Sequence, residues 1–303
     1  MTVRRRPARA GPGRSSGRPP GFFNFSLTFG VYPKGGGIGI SHNRPPKRFN
    51  PAVPNEARMF DYAMGGKDNY RADRDAAELI GAALPTALAA VRENRQFMRR
   101  AVRHLLSAGI RQFLDLGCGM PGRGNVHELV AAADPSATVV YVDNEPMVVN
   151  HFQALLSSSS VATALLADIR RPGDVLSSPE VRRLIDLRRP VGIVLTAVLH
   201  YFEDEDDPAG VVKEFVSAVP PGSHVVLTHY HPEGIPAEDR AVTAEFAESL
   251  DMTMAERDRA QIEALFGELV LVEPGLVPPP RWHPDRPLRD PTGWLLAGVA
   301  RKP

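Results

Sequence analysis

Two hydrophobic textures divide this chain. Leu88, Val91, Met98, Val102 and Leu105 recur at spacings of three, seven, four and three, which is one face of a long helix. Gly109 stands where its C-terminal cap belongs. Upstream, Asn55–Met64 and Ala72–Leu84 also read as helical, with Gly65-Gly66 between them and Pro85 ending the second. From Arg111 onward the pattern becomes short apolar runs alternating with helical stretches. The runs Gln112–Leu116, Thr138–Asp143, Val161–Ala167, Val191–Leu195 and Ser223–His229 predict strands. Asn125–Ala133, Pro146–Leu156, Pro179–Asp186 and Pro208–Val219 predict the helices between them, Pro146 and Pro208 suiting first-turn positions and Asp207 an N-cap. Strands that are apolar throughout are buried on both faces, which implies a parallel sheet covered by helices on each side. After a helix near Met254–Phe266, the segments Leu269–Val272 and Trp294–Arg301 predict a closing antiparallel hairpin. The expected fold is α/β: a Rossmann-like three-layer sandwich, mostly parallel, preceded by a helical segment over 49–109, with the main domain at 110–303.

Composition adds constraints. The 303 residues are 43% hydrophobic and 23% charged, an ordinary globular balance. No run approaches the roughly 18 apolar residues of a membrane-spanning helix. The single cysteine, Cys118, rules out an internal disulfide and a Cys-rich zinc site, and points to the reducing cytoplasm. The net charge of +1 conceals an uneven distribution. Residues 1–48 hold ten Lys/Arg, nine Gly, seven Pro and no acid, so the remaining 26 basic residues face 35 acidic ones, a net of −9. Such a tail cannot bury enough apolar surface to offset its chain entropy, and disorder is expected. Its arginines with Phe22, Phe23 and Phe25 form a possible nucleic-acid arm; a solvated basic tail is the favoured reading.

In a doubly wound sheet, ligands bind beyond the carboxyl ends of the strands, so the strand-end residues carry the chemistry. The first strand runs into Asp115-Leu116-Gly117-Cys118-Gly119-Met120-Pro121-Gly122. Gly117, Gly119 and Gly122 satisfy the dinucleotide pattern G-x-G-x-x-G, and Asp143 lies 21 residues beyond Gly122, where an acid for ribose hydroxyls belongs. Asp115, beside the glycines, would repel a pyrophosphate and attract an ammonium group. Asp168 ends the third strand as an acceptor suited to an adenine amino group.

Acids at three successive strand ends resemble class I S-adenosylmethionine-dependent methyltransferases. Longer motifs narrow the likeness: PNEARMFDYAMGGKDNYRADRDAAE at 54–78, IRQFLDLGCGMPGRGNVHE at 110–128, VVYVDNEP at 139–146 and AVLHYFEDEDDP at 197–208 resemble the actinobacterial S-adenosyl methyltransferase family over about 49–303. A departure is Gly122-Arg123, where that family commonly has Thr after the Pro, a hydroxyl able to cap the next helix. The resemblance implies S-adenosylmethionine as cofactor. It implies that Asp115, Gly117 and Gly119 contact the methionine portion and that Asp143 holds the ribose, with Asn144 beside the adenine. Asp168 and Ile169 would form the adenine edge.

Methyl transfer needs in-line placement of nucleophile and methyl, and a base adds to it. His200 and Tyr201, after the fourth strand, are the catalytic candidates, His200 as base or as a structural histidine. His229 and His231 lack a supporting carboxylate nearby, so no metal is expected. The acidic run Glu203–Asp207 reads as a solvated face before a helix N-terminus. The polar residues around Gly65-Gly66 suggest a lid over the cofactor, with Tyr62 and Asn69 as contacts. The expected acceptor is a small molecule, with no membrane partner. Two rivals stay open: an NAD-dependent oxidoreductase using the literal glycine pattern, and a non-catalytic S-adenosylmethionine-binding regulator.

Overall fold

The computed structural model describes residues 49–285 and 290–303; the basic tail and its possible nucleic-acid role lie outside them. Three helices come first: α1 (Glu56–Ala63), α2 (Arg71–Ala83) and α3 (Ala87–Ser107). Strands and helices then alternate: β1 (Gln112–Leu116), α4 (Val126–Ala133), β2 (Thr138–Asp143), α5 (Pro146–Leu155), β3 (Ala162–Leu166), α6 (Pro172–Ser177), α7 (Pro179–Leu184), β4 (Gly192–Thr196), α8 (Pro208–Ser217) and β5 (His224–Tyr230). Helices α9 (Ala237–Ser249) and α10 (Arg259–Ala264) lead to β6 (Val270–Leu271) and β7 (Leu295–Arg301).

The sheet order is β3-β2-β1-β4-β5-β7-β6. Strands β1 to β5 pair in parallel. The reversed strand β7 inserts between β5 and β6, antiparallel to both. The chain order turns back between β1 and β4, so the carboxyl ends of these two strands flank the switch point where ligands bind.

Two cores sandwich the sheet. Leu114, Val140, Ile193 and Leu227 pack on one face against Val175, Val181, Phe215 and Ile262 of α6, α7, α8 and α10. Phe113, Tyr141, Val194 and Val226 pack on the other against Phe97 and Val102 of α3, Val130 of α4 and Phe152 of α5. Helix α3 therefore belongs to one layer of the sandwich with α4 and α5, and of the three leading helices only α1 and α2 stand outside it as a cap. Their register is set by one buried carboxylate. Asp73 accepts the Asn55 N–H at 2.9 Å, the Tyr70 N–H at 2.8 Å and Arg58 Nε at 2.8 Å.

Two expectations need correcting. The helix expected at Met254–Phe266 shrinks to α10, because Asp258 builds a reciprocal cap with Gln261 and fixes the start there. Helix α9, like the short α6, has no counterpart among the expected elements. Its buried side is thin, with Val242 and Phe246 half-buried and Thr243 buried, so no apolar stripe marks it.

Arg58 and Asp73 are 2% and 0% exposed, and deleting one partner leaves the other charge buried and uncompensated. Asp73→Ala is expected to cost the α1–α2 cap about 3–5 kcal/mol. Amide hydrogen exchange across 55–64 should then speed up about a hundredfold or more, while that of β1 and β4 stays near wild type.

Candidate active site

Gly117, at the end of β1, has φ +71°, and a Cβ there would collide with the Val198 side chain. The first loop and the β4 exit thus touch where only glycine fits. The Gly117 and Cys118 N–H groups donate to Val142 O at 2.8 and 3.3 Å, and the Gly119 N–H donates to Asp143 Oδ2 at 2.9 Å. The other Asp143 oxygen accepts the Glu145 N–H at 3.0 Å. Burial pushes the Asp143 carboxyl up to about 6 despite these hydrogen bonds, and pushes that of Asp115 up to about 7 against the pull of Arg95.

A cavity of about 310 Å³ opens over this turn. Its floor is Gly117–Gly122, Asp143–Glu145, Ala167–Arg170 and Thr196–Val198, with Tyr201 and Phe202 beside them. The cap and α3 supply the opposite wall through Asn55, Glu56, Phe60, Asp61, Met64, Val91, Asn94 and Arg95. Asn55 ties the two sides together: its Oδ1 caps α1 at the Arg58 N–H and its Nδ2 donates to Glu145 Oε2 at 3.2 Å. The Arg95 guanidinium has no hydrogen-bond or ion-pair partner among the described residues.

Of the candidate residues, Gly117, Gly119, Asp143, Asn144, Asp168, Ile169 and Tyr201 line this cavity. Asp115 does not. Alternation along β1 sends it to the face of Phe113, toward α3, where the Arg95 charge acts on it. Tyr62 and Asn69 do not line it either. Tyr62 sits about 200° round the helix from Phe60, and its hydroxyl donates to Glu78 Oε1 at 2.6 Å. Asn69 Nδ2 donates to Asp61 Oδ2 at 2.7 Å, and a Cβ on Gly66 would strike that same carboxylate. The Gly65-Gly66 signature is therefore a turn wrapped around Asp61, and Asp61 is the residue it presents.

Asp168 holds Arg170 through both oxygens at 3.0 Å to Nε and 2.6 Å to Nη2. Burial raises the Asp168 pKa, and the Arg170 bonds outweigh it, holding the carboxyl below its ordinary value. His200 lies outside this cavity, buried between His229 and Arg257, and burial keeps its pKa well below the ordinary histidine value. Its Nδ1 accepts the Tyr230 N–H at 3.4 Å, which leaves the proton on Nε2. His200 is thus neutral and a donor at Nε2, not a poised base. Nor is the acidic run simply a solvated face. Asp207 caps α8, Asp204 pairs with the buried Arg257 at 2.7 Å, and Asp206 lies 3.6 Å from Arg170. Among the described residues no group of three or more His, Cys, Asp or Glu side chains is placed to hold a metal.

The dinucleotide reading requires the third glycine to open the helix. Gly122 instead sits in a loop, its N–H on Asn125 Oδ1 at 2.9 Å, and α4 begins only at Val126. Glu128 accepts the Gly124 N–H at 2.8 Å, ordering the turn that lacks the threonine hydroxyl.

Residues 42–303 match the S-adenosyl methyltransferase family. The chain belongs to that family. It is a methyltransferase that uses S-adenosylmethionine, and neither the NAD reading nor the purely regulatory one is favoured. Among solved structures, it is similar to a DUF574 family protein of Streptomyces avermitilis, at 38% identity and TM-score 0.79, covering 83% of this chain and 98% of that one. It is also similar to a protein of Thermobifida fusca described as a candidate methyltransferase, at 38% identity and TM-score 0.78, covering 83% and 96%. None of the curated proteins matches the chain.

Asn55, Asn94, Arg95 and Glu145 line the cavity without having been expected there, and Asp61, one of the polar residues of the expected lid, lines it in place of Tyr62 and Asn69. A signal existed for two of them. The step of seven from Val91 to Met98 skips one helical turn of the apolar stripe, and Asn94 and Arg95 occupy the skipped position.

The raised Asp115 pKa has a sign that can be checked. The folded protein holds this proton up to about pH 7, whereas an ordinary aspartate loses it near 3.8. Its contribution to stability is therefore complete below pH 3.8 and is lost as pH rises through 7. Asp115→Asn, always neutral, should gain on wild type by on the order of 5 °C in Tm between pH 5 and pH 8, as read by thermal unfolding without cofactor.

Proposed function

We propose that the 310 Å³ cavity is the S-adenosylmethionine site and that the enzyme transfers the methyl group to a small-molecule acceptor in the cytoplasm. What carries the reading is the order of charges along the cavity. Arg95 stands unpaired among the described residues at the glycine turn, the Asp143 carboxylate comes next, and Asp168 with Ile169 lies at the far end. A zwitterionic amino acid joined to a ribose and an adenine has the same order of needs. When bound, the cofactor supplies a methyl group activated by a positively charged sulfur.

On this reading Arg95 takes the methionine carboxylate. Asp115, behind Gly117 and Gly119, favours the ammonium through the field it sets up. Asp143 faces the ribose hydroxyls. Asn144 flanks the adenine, Asp168 accepts from its amino group, and Ile169 with Phe60 forms the apolar walls. Tyr201 bounds the site toward the acceptor, and His200 positions it, their rings 4.4 Å apart. Helix α1 acts as the lid, with Asn55 and Asp61 as its inward residues in place of Tyr62 and Asn69; Asn69 supports Asp61 from behind. Excluding water strengthens each charge pairing inside. Both similar structures come from actinobacteria, which supports an actinobacterial source. No helix among the described residues is long and apolar enough to cross a membrane.

Calorimetric titration of the full chain with S-adenosylmethionine, S-adenosylhomocysteine and NAD tests this. The first two are expected to bind and NAD to give no heat. Arg95→Ala should weaken S-adenosylhomocysteine at least tenfold, the usual scale of a lost charge-assisted bond. Unchanged affinity in Arg95→Ala would remove the arginine from the site, and binding of NAD alone would overturn the assignment.

A further inference from the structure

A second cavity, of about 160 Å³, adjoins the first. The two share Glu56, Phe60, Val91, Asn94, Ala197 and Tyr201, so the partition between them is one layer of side chains. Beyond that layer the character changes from charged to hydrocarbon. Ile80, Leu84, Phe246, Met254, Trp294 and Leu295 make up much of the wall. Trp294 Nε1 is already engaged, donating to Thr86 Oγ1 at 2.8 Å. The titratable groups facing this space, apart from the shared Glu56, are His200, Tyr201 and Tyr230. Burial disfavours the charged form of all three. An ionic ligand entering here would lose its hydration with little to replace it.

At the junction a hydrogen-bond chain fixes one donor. The Ala197 N–H donates to Thr228 Oγ1 at 2.8 Å, and the Thr228 hydroxyl donates to Asn94 Oδ1 at 2.7 Å. In this arrangement Asn94 Nδ2 has no partner among the described residues. Ala197 itself sits at φ +56°, a left-handed backbone that strains a non-glycine residue. Its N–H on Thr228 is part of what holds it there.

We propose that this second cavity receives the methyl acceptor, and that the acceptor is an uncharged ring compound with an oxygen held by Asn94 Nδ2 at the junction and its apolar body lying between α2, α3 and α9. A cavity of about 150 Å³ suffices for a benzene ring, and this one, at about 160 Å³, is of that size. Methionines at positions 59, 252 and 254 give the wall an adaptable surface. The inference rests on assigning the first cavity to the cofactor.

Three probes with one ring system test it on the full chain: 2-naphthol, the anionic 2-naphthoate, and naphthalene, which has no oxygen. Binding is read by calorimetry and by quenching of tryptophan fluorescence, with and without S-adenosylhomocysteine. 2-Naphthol is expected to bind at least tenfold more tightly than 2-naphthoate. Ala247→Phe and Leu88→Trp fill the cavity from separate helices. Each should weaken 2-naphthol at least tenfold and leave S-adenosylhomocysteine within twofold, which also reports that the variant is folded. Asn94→Ala should weaken 2-naphthol about fivefold and leave naphthalene unchanged. The proposal is overturned if 2-naphthoate binds as well as 2-naphthol, if 2-naphthol fails to bind, or if neither filling variant alters it. Failure of S-adenosylhomocysteine to bind the wild type would sink the cofactor assignment instead, while the naphthol titration without it would still read the apolar cavity.

Discussion

The turn from β1 to α4 must pass close over the ends of two neighbouring strands, and the rest of the site is arranged around that crossing. Gly117 lies against Val198 from the β4 exit, and Gly119 is tied to Asp143 at the end of β2. A side chain at Gly117 would push the turn off both. One carboxylate, Asp143, thus links the glycine turn to the β2–α5 loop through bonds to Gly119 and Glu145. This linkage explains why an acid is buried where burial works against its charge. Asp143 and Asp115 are both held toward protonation, a cost that a cationic ligand would relieve.

The cap builds on the same crossing. Asn55 begins α1 and reaches Glu145 on the loop that Asp143 organises, so the position of the cap and the position of the strand ends are coupled through two side chains. Asp73 then fixes α2 to α1, and α2 brings Ala77, Ile80 and Leu84 into the wall of the apolar cavity. Helix α3 contributes to both cavities because it runs along the sheet face as a layer of the sandwich and presents Val91 and Asn94 to each. Two chemically different spaces therefore meet on one helical face.

Much of this was legible in the sequence because strand ends announce themselves. Apolar runs stop at Leu116, Asp143 and Ala167, and the residues just beyond them fall in one cavity by the geometry of a parallel sheet. Register errors stayed within a residue or two, as for β4 and β5, whose observed spans begin one position later than their apolar runs suggest. The cap was harder. Its polar residues suggested a role at the site, but which of them turns inward depends on helix phase, and an eight-residue helix ended by two glycines gives too few apolar positions to set that phase. Tyr62 was chosen for its chemistry, yet Phe60 and Asp61 occupy the inward side. Helix α9 was harder to read for a related reason: its few large apolar residues, Val242 and Phe246, are only half-buried, and the buried position is a threonine.

The contrast between the two cavities follows from what each must leave unsatisfied. In the polar one the protein presents charge to the cavity, Arg95 on one side and Asp143 on the other, with Asp115 buried behind the glycine turn, and a complementary ligand would compensate burial that now favours the protonated carboxyls. In the apolar one the buried polar atoms are few, and His200 is oriented by a backbone N–H rather than by a partner carboxylate. A histidine held neutral with its proton on Nε2 gives direction to a neighbouring group without removing a proton from it. Orientation at the junction rests instead on the Ala197–Thr228–Asn94 chain, which runs from a strained backbone position just past β4 through β5 to α3. Each link is anchored in a different layer of the fold, so the donor at its end is placed by the sandwich as a whole, more firmly than a loop side chain would be.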